Sequence, residues 1–207
     1  SAFDVTNYTK AFTKPPNTSV KAFGVLESPP PARERLASLK NNNIFSFSMT
    51  EVENLFLDEA FLKVLAEKVF AIDNEIDLIK DDVISKLQKD LELQISNYVT
   101  TKINYYFKDS HVSKGNSLMQ VEENYHKFSE EIKIQDWFAE RKKTLEKIIA
   151  EKDYEKTLSI YNNKGLKSIA NKHLKISDFT DKAIKLIQFE PSTHQILLKH
   201  FPSELRT

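Results

Sequence analysis

A stripe of aliphatic side chains through the middle of the chain constrains the fold more than any other feature of the sequence. Because side chains three and four residues apart share one side of a helix, the stripe predicts a long helix from about Asp73 to Phe107. Its apolar face is either buried in a core or paired in a coiled-coil seam. The stripe consists of Ile76, Ile79, Val83, Leu87, Leu91, Ile95 and Val99.

Further helical patterns surround this stripe and predict a mainly α-helical region over residues 58–207. Asp58 precedes an apolar periodic segment and is expected to cap the N-terminus of a helix. Two more helices are expected near Leu118–Ile132 and Trp137–Lys152. Short helices separated by Gly, Ser and Pro residues are expected to complete the chain.

The first 57 residues have a different pattern, which predicts a partial α/β domain. Ser19–Leu26 and Asn43–Phe47 are rich in β-branched and aromatic residues, and a short helical stretch, Ala32–Leu39, lies between them. Strand, crossover helix and strand form a unit of a parallel sheet. A helix is expected at Asp4–Phe12. Since such sheets normally contain more strands, we expect the rest of the sheet outside this sequence.

The composition excludes several classes of protein. Lys plus Arg and Asp plus Glu both number 30, so the chain has no globally basic surface for nucleic acid. The absence of Cys excludes disulfides and thiolate metal sites. The three Gly do not form a glycine-rich phosphate-binding loop. No apolar run is long enough to span a membrane and no secretion signal is visible, so we expect a cytoplasmic protein.

Histidine and serine patterns give no signal of a catalytic or metal site. The five His lack metal-ligand spacing, and no Gly-x-Ser-x-Gly motif is present. The His side chains are therefore expected at the surface or in packing.

Glu27 directly follows the first predicted strand. Ligands of parallel α/β folds bind at the C-terminal ends of the strands, and a carboxylate at this position can hold Mg²⁺. The alternative is that Glu27 only ends the strand before Pro29–Pro31.

A second acidic segment, Ser48–Asp58, follows the second predicted strand. If the strand continues, Glu51 and Glu53 point to the same side of it. If a helix begins instead, Thr50 caps that helix and Glu53 completes a capping box. Asn54 adds an amide that can orient a carboxylate or bind a phosphate oxygen.

A third segment, Tyr161–Leu166, lies at a predicted break between helices. Gly165 is typical of a helix C-cap, whereas Lys164 at such a break can stabilise phosphate charge. Residues 161–207 contain eight basic and four acidic side chains. This excess, which includes Lys167, indicates either a face that contacts phosphates or an ordinary solvated surface.

The run from Ala22 to Leu57 resembles the TOPRIM-like (topoisomerase–primase) domain of bacterial overcoming-lysogenization-defect-like (OLD-like) proteins. In that family a strand ends in an Asp-x-Asp metal motif, and a short helix, a strand and a Glu-Ile-Glu-Asn-Leu segment follow. The EVENL run at Glu51–Leu55 matches the last segment, and the NKGL run at Asn163–Leu166 is similar to an Asn-Gly-Lys element of the family. At the Asp-x-Asp position this chain has Glu27, Ser28 and Pro29.

The resemblance implies a TOPRIM-type nuclease that uses Mg²⁺ or Mn²⁺ to cut DNA or RNA. It also implies an ABC-type ATPase partner, a role in anti-phage defence and a homo- or hetero-oligomer. Glu27, Glu51 and Glu53 stand at metal-ligand positions, with Glu53 and Lys164 as the expected catalytic residues.

Two further residues, Asn54 and Lys167, are expected to bind the substrate. Two alternatives to the nuclease remain. The first is a catalytically silent TOPRIM-like interaction module, and the second is a helical scaffold in which the apolar stripe forms an oligomer seam.

Overall fold

The computed structural model describes Val5, Tyr8, Thr9, Ala11 and residues 22–27, 43–71 and 74–206. Within these ranges two short strands, β1 (Gly24–Leu26) and β2 (Ile44–Ser46), precede a series of helices. The helices are α1 (Val52–Leu55), α2 (Glu59–Lys68), α3 (Glu75–Lys89), α4 (Leu91–Asp109), α5 (Leu118–Glu130), α6 (Ile134–Ala150), α7 (Tyr154–Ile160), α8 (Lys167–Leu174), α9 (Phe179–Phe189) and α10 (Ser192–Leu198). Two 3₁₀ helices lie at Lys164–Leu166 and Ser203–Leu205.

The two strands form the parallel pair that the sequence predicts. Gly24 lies opposite Ile44, and Leu26 lies opposite Ser46. Parallel strands require a crossover connection, and the predicted crossover helix Ala32–Leu39 lies outside the described residues. The observed fold is therefore a small parallel sheet followed by a mainly helical region.

The chain before β1 packs closely against that strand. The four described residues of the predicted Asp4–Phe12 helix are helical. The Thr9 hydroxyl donates to the carbonyl oxygen of Val5 at 2.7 Å, and Thr9 is buried. A Cβ on Gly24 would lie 2.6 Å from Thr9 Oγ1 and 2.7 Å from Val5 Cγ1. The absence of a side chain at Gly24 therefore permits this contact.

The single long helix predicted from Asp73 to Phe107 is wrong, because the structure has two helices there. α3 ends at Lys89, α4 begins at Leu91, and Asp90 between them has φ −90° and ψ 8°. The hydroxyl of Tyr161 and the amide of Asn163 both donate to the Asp90 carboxylate, Asn163 at 3.2 Å. A one-residue break leaves the apolar spacing intact, so the periodicity does not reveal it.

The apolar stripe is a core face, as one of the two sequence interpretations expects. α3 contacts α2, α4, α6, α7 and α8. Ile79, Val83 and Leu87 are 0% exposed. These side chains are buried inside one chain, so they do not form a seam between chains.

The hydrophobic core crosses the predicted domain boundary at residue 57. Met49, Leu55 and Leu57 belong to the same buried cluster as α3 and α4. Leu26 and Ile44 form a separate small cluster on the sheet. By packing, the segment around α1 is thus part of the helical region.

Several helix boundaries agree with the sequence. Asp58 caps α2 as predicted, because its Oδ1 accepts from the backbone N–H groups of Ala60 and Phe61. α5 and α6 lie near the predicted segments. Across the described ranges, none of the helices combines the length and the apolar character that crossing a bilayer requires.

Candidate metal centre

Glu27 lies at the carboxyl end of β1, beside the turn that follows β2. The parallel register places both strand ends at one edge of the sheet. Glu27 Oε1 accepts a hydrogen bond from the backbone N–H of Val52 at 3.1 Å. This bond ties the end of β1 to the first residue of α1, and the Glu27 side chain keeps 40% of its surface exposed.

The segment after β2 brings two further acids to this edge. β2 ends at Ser46, and Glu51 has extended backbone angles (φ −124°, ψ 144°) directly before α1. The strand does not continue and a helix begins, as the second sequence interpretation expects, but the N-cap residue is Glu51 and not Thr50. The Thr50 hydroxyl instead donates to the carbonyl oxygen of Tyr161 at 2.8 Å. Glu53 lies in the first turn of α1.

The three acidic side chains converge. Glu27, Glu51 and Glu53 each contribute a carboxylate oxygen to a group in which all these atoms lie within 4.8 Å of one another. Like charges at this separation repel, so the arrangement requires nearby positive charge. We call these three residues the acidic cluster.

Lys164 supplies positive charge beside the acidic cluster. Its Nζ lies 3.5 Å from Glu51 Oε2 and 3.9 Å from Glu27 Oε2. Lys164 begins a 3₁₀ helix in which Asn163 Oδ1 accepts from the Gly165 N–H at 2.8 Å. The prediction of a helix C-cap at Gly165 is therefore wrong, since Gly165 lies inside this helix and has no positive φ.

Hydrogen bonds from Asn54 position the segment that carries Lys164 beside the acidic cluster. The buried Asn54 amide donates to the carbonyl oxygens of Leu158 and Tyr161, both at 3.3 Å. These carbonyls end α7, and Lys164 follows three residues after Tyr161. Asn54 thus holds the Lys164 segment against α1, and its expected role in substrate binding stays a prediction.

Glu51 is the buried member of the acidic cluster. Burial raises the pKa of its carboxyl, the charge of Glu27 raises it further, and Lys164 acts in the opposite direction. Its Oε2 is buried, and the Lys164 ammonium 3.5 Å away is in ion-pair range without making a well-formed hydrogen bond to it. A buried carboxylate oxygen without a donor is costly unless a cation satisfies it.

The cluster fits a small divalent cation. Mg²⁺ prefers oxygen ligands and is commonly held by one or two carboxylates together with water. Glu51 offers a buried oxygen whose nearest cation is the Lys164 ammonium at 3.5 Å, while the Glu27 and Glu53 side chains are more exposed. Lys167 is exposed at the start of α8, the helix that follows the Lys164 segment.

A second polar group was missed by sequence reasoning. His200 is buried at 3% exposed, which agrees with the expected packing role, but its contacts with both Asp58 and Ser48 were not expected. Only the fold brings these residues together, because they are separated by up to 152 positions. No local spacing signals such a group.

Comparisons of the chain with protein-family models, curated proteins and solved structures found no match. The resemblance to OLD-like proteins therefore stays a prediction.

Proposed function

We propose that the protein is a metal-dependent nuclease with a TOPRIM-like site that acts with an ABC-type ATPase in anti-phage defence. The observation that supports the proposal is the convergence of Glu27, Glu51 and Glu53 at the edge of a parallel sheet, within 4.8 Å of one another. The ATPase partner and the defence role derive from the resemblance of the EVENL segment at Glu51–Leu55.

In this proposal the acidic cluster holds Mg²⁺ or Mn²⁺. When bound, the ion supplies an activated water and neutralises charge that develops on a phosphate. Glu51 provides the buried oxygen, while Glu27 and Glu53 complete the ligand set on the open side. The Lys164 side chain is 66% exposed, so its ammonium group can also contact a phosphate oxygen.

Binding of Mn²⁺ and cleavage of nucleic acid together test the proposal. We expect Mn²⁺ to raise the melting temperature of the protein, because a ligand that binds only the folded state stabilises it. Glu53→Gln should abolish this increase. With the ATPase partner present, the same substitution should lower Mg²⁺-dependent cleavage of DNA or RNA by about 100-fold or more, the usual effect of losing a catalytic group.

Glu67→Gln is the matched control, because Glu67 is an exposed carboxylate on α2 outside the acidic cluster. It should leave both the Mn²⁺ response and the cleavage unchanged. Wild-type protein that neither responds to Mn²⁺ nor cleaves nucleic acid with its partner would refute the nuclease assignment.

A catalytically silent interaction module is the second candidate, and one contact favours it. The ammonium group of Lys164 already lies 3.5 Å and 3.9 Å from two of the carboxylates, so it neutralises charge without a metal. Pro29 also occupies the position of the family's second Asp. A stable complex with the ATPase, combined with no Mn²⁺ response, would identify this function.

A further inference from the structure

Ser48, His200 and Asp58 form a chain of hydrogen bonds apart from the acidic cluster. Ser48 Oγ lies 2.8 Å from His200 Nδ1, and His200 Nε2 lies 3.0 Å from Asp58 Oδ2. His200 and Asp58 are 3% and 4% exposed, whereas Ser48 is exposed. The exposed Ser48 hydroxyl is thus hydrogen-bonded to a buried imidazole–carboxylate pair.

Packing on both sides holds Ser48 against His200. The Ser48 N–H donates to the carbonyl oxygen of His200 at 3.0 Å. The neighbouring rings of Phe47 and Phe201 pack edge to face with centroids 4.9 Å apart. Backbone and aromatic contacts therefore fix the side-chain hydrogen bond in place.

The contacts of Asp58 determine which nitrogen of His200 carries a proton. Burial raises the pKa of Asp58, but hydrogen bonds from His200, Lys199 and the Phe61 N–H outweigh it and lower the pKa to about 2. The ionised carboxylate can only accept, so His200 Nε2 is the donor to it. In the neutral imidazole, Nδ1 then accepts from the Ser48 hydroxyl, which is the arrangement of a nucleophile with its general base.

Ser48 and His200 open onto a cavity of about 310 Å³. This volume lies at the lower end of the range for small-molecule pockets. Lys156 also lines the cavity and brings one positive charge to it. Asp153 and Glu155 line it as well, so the cavity disfavours anionic ligands and accepts small uncharged ones.

We propose that Ser48 is a nucleophile that hydrolyses short, uncharged carboxylic esters, with His200 as its general base and Asp58 as a positioning residue. The Ser48 O–H bond breaks and its proton moves to His200 Nδ1 while Oγ bonds to the ester carbonyl carbon. The carbonyl electron pair moves to oxygen, and its return expels the alcohol oxygen, which takes the proton from Nδ1. Water then releases the acid from Ser48 by the same proton route.

The experiment uses a fluorophosphonate probe, which forms an Oγ–phosphorus bond and releases fluoride, followed by mass spectrometry of the labelled peptide. We expect the full-length protein to carry the label on Ser48 and to hydrolyse p-nitrophenyl acetate. Ser48→Ala should abolish the label and lower hydrolysis by about 100-fold or more, the usual magnitude for such a group.

Ser159→Ala is the matched control, because Ser159 lines the same cavity while its hydroxyl donates to the Lys156 carbonyl oxygen. It should keep the wild-type label and rate. Wild-type protein without a label, or a label on any other residue, would overturn the proposal. A chelator and Glu53→Gln should leave labelling unchanged, so failure of this proposal is distinguishable from failure of the metal site.

The positioning role of Asp58 has its own test. Asp58→Asn keeps an oxygen that can cap α2 but loses the charge that orients His200. We expect kcat for p-nitrophenyl acetate, normalised to the folded fraction measured by circular dichroism, to fall while KM stays unchanged; the normalisation removes the loss of kcat that partial unfolding alone would cause. Unchanged kcat in a folded Asp58→Asn variant would refute this role.

Discussion

Glu51 combines a negative charge with burial, which makes it the residue where function and stability conflict. Its side chain is 7% exposed, and the Lys164 ammonium 3.5 Å from its Oε2 makes no well-formed hydrogen bond to it. Burial and the charge of Glu27 raise its pKa, so the carboxyl ionises less readily in the folded state than in the unfolded chain. A site that binds a cation needs the ionised form.

We therefore expect Glu51→Gln to increase the free energy of unfolding at neutral pH by about 0.5–2 kcal/mol, because the substitution removes a buried negative charge. This is the usual size of a stabilising substitution. Because the folded-state pKa is raised, the destabilisation by Glu51 develops as pH rises above 4.5, the ordinary pKa of a glutamate side chain. The gain should vanish at about pH 3, where the wild-type carboxyl is protonated in both states. Urea denaturation at the two pH values measures this.

Glu67→Gln provides the comparison for this prediction, since Glu67 is an exposed carboxylate. It should show no comparable gain at either pH. An increase for Glu51→Gln that is equal at neutral and acidic pH would contradict the assigned cause.

The contact between β1 and the helical residues before it depends on one glycine. Gly24→Ala would place a Cβ 2.6 Å from Thr9 Oγ1 and 2.7 Å from Val5 Cγ1, both on stiff β-branched side chains. We expect a loss of about 1–3 kcal/mol in the free energy of unfolding, as overpacking usually causes. Since β1 also positions Glu27, the Mn²⁺ response should weaken as well. Thermal unfolding with and without Mn²⁺ measures both effects.

Gly165→Ala is a suitable comparison for stability, because among the described residues its added Cβ would meet only Asn163 Oδ1, at 3.0 Å. The destabilisation should be smaller than for Gly24→Ala. Equal losses at the two glycines would show that the close approach at Gly24 is not the cause.

The helical region as a whole is organised around α3, which touches five other helices. Leu87 on this helix is 0% exposed, whereas Leu93 on α4 is 57% exposed. Leu87→Ala should reduce the free energy of unfolding by about 2–5 kcal/mol, the range for a large-to-small change in a core. Leu93→Ala should change it by less than about 0.5 kcal/mol, as surface substitutions usually do.

Chemical denaturation at several protein concentrations measures this pair of variants. If the stripe lies inside one chain, the loss for Leu87→Ala should not depend on protein concentration. A loss that grows on dilution would instead indicate that the stripe contributes to an oligomer interface.

The sequence correctly predicts those elements whose pattern depends on residues that are close together along the chain. The Asp58 cap, the helices near α5 and α6, and the parallel strand pair were all predicted, because capping, helical period and strand composition are properties of neighbouring residues. The break at Asp90 was missed. Its carboxylate is bound by Tyr161 and Asn163, which lie about seventy residues away along the chain.

The sequence by itself determined the mainly helical architecture, the small parallel sheet and the presence of acids after both strands, since these follow from local periodicity and composition. Only the tertiary structure decided that Glu27, Glu51, Glu53 and Lys164 meet, and that Ser48 meets His200. The physical reason is that these approaches depend on strand register, on the carbonyl groups at the end of α7 and on aromatic packing between distant segments. None of these contacts is encoded in the spacing of the residues that they join.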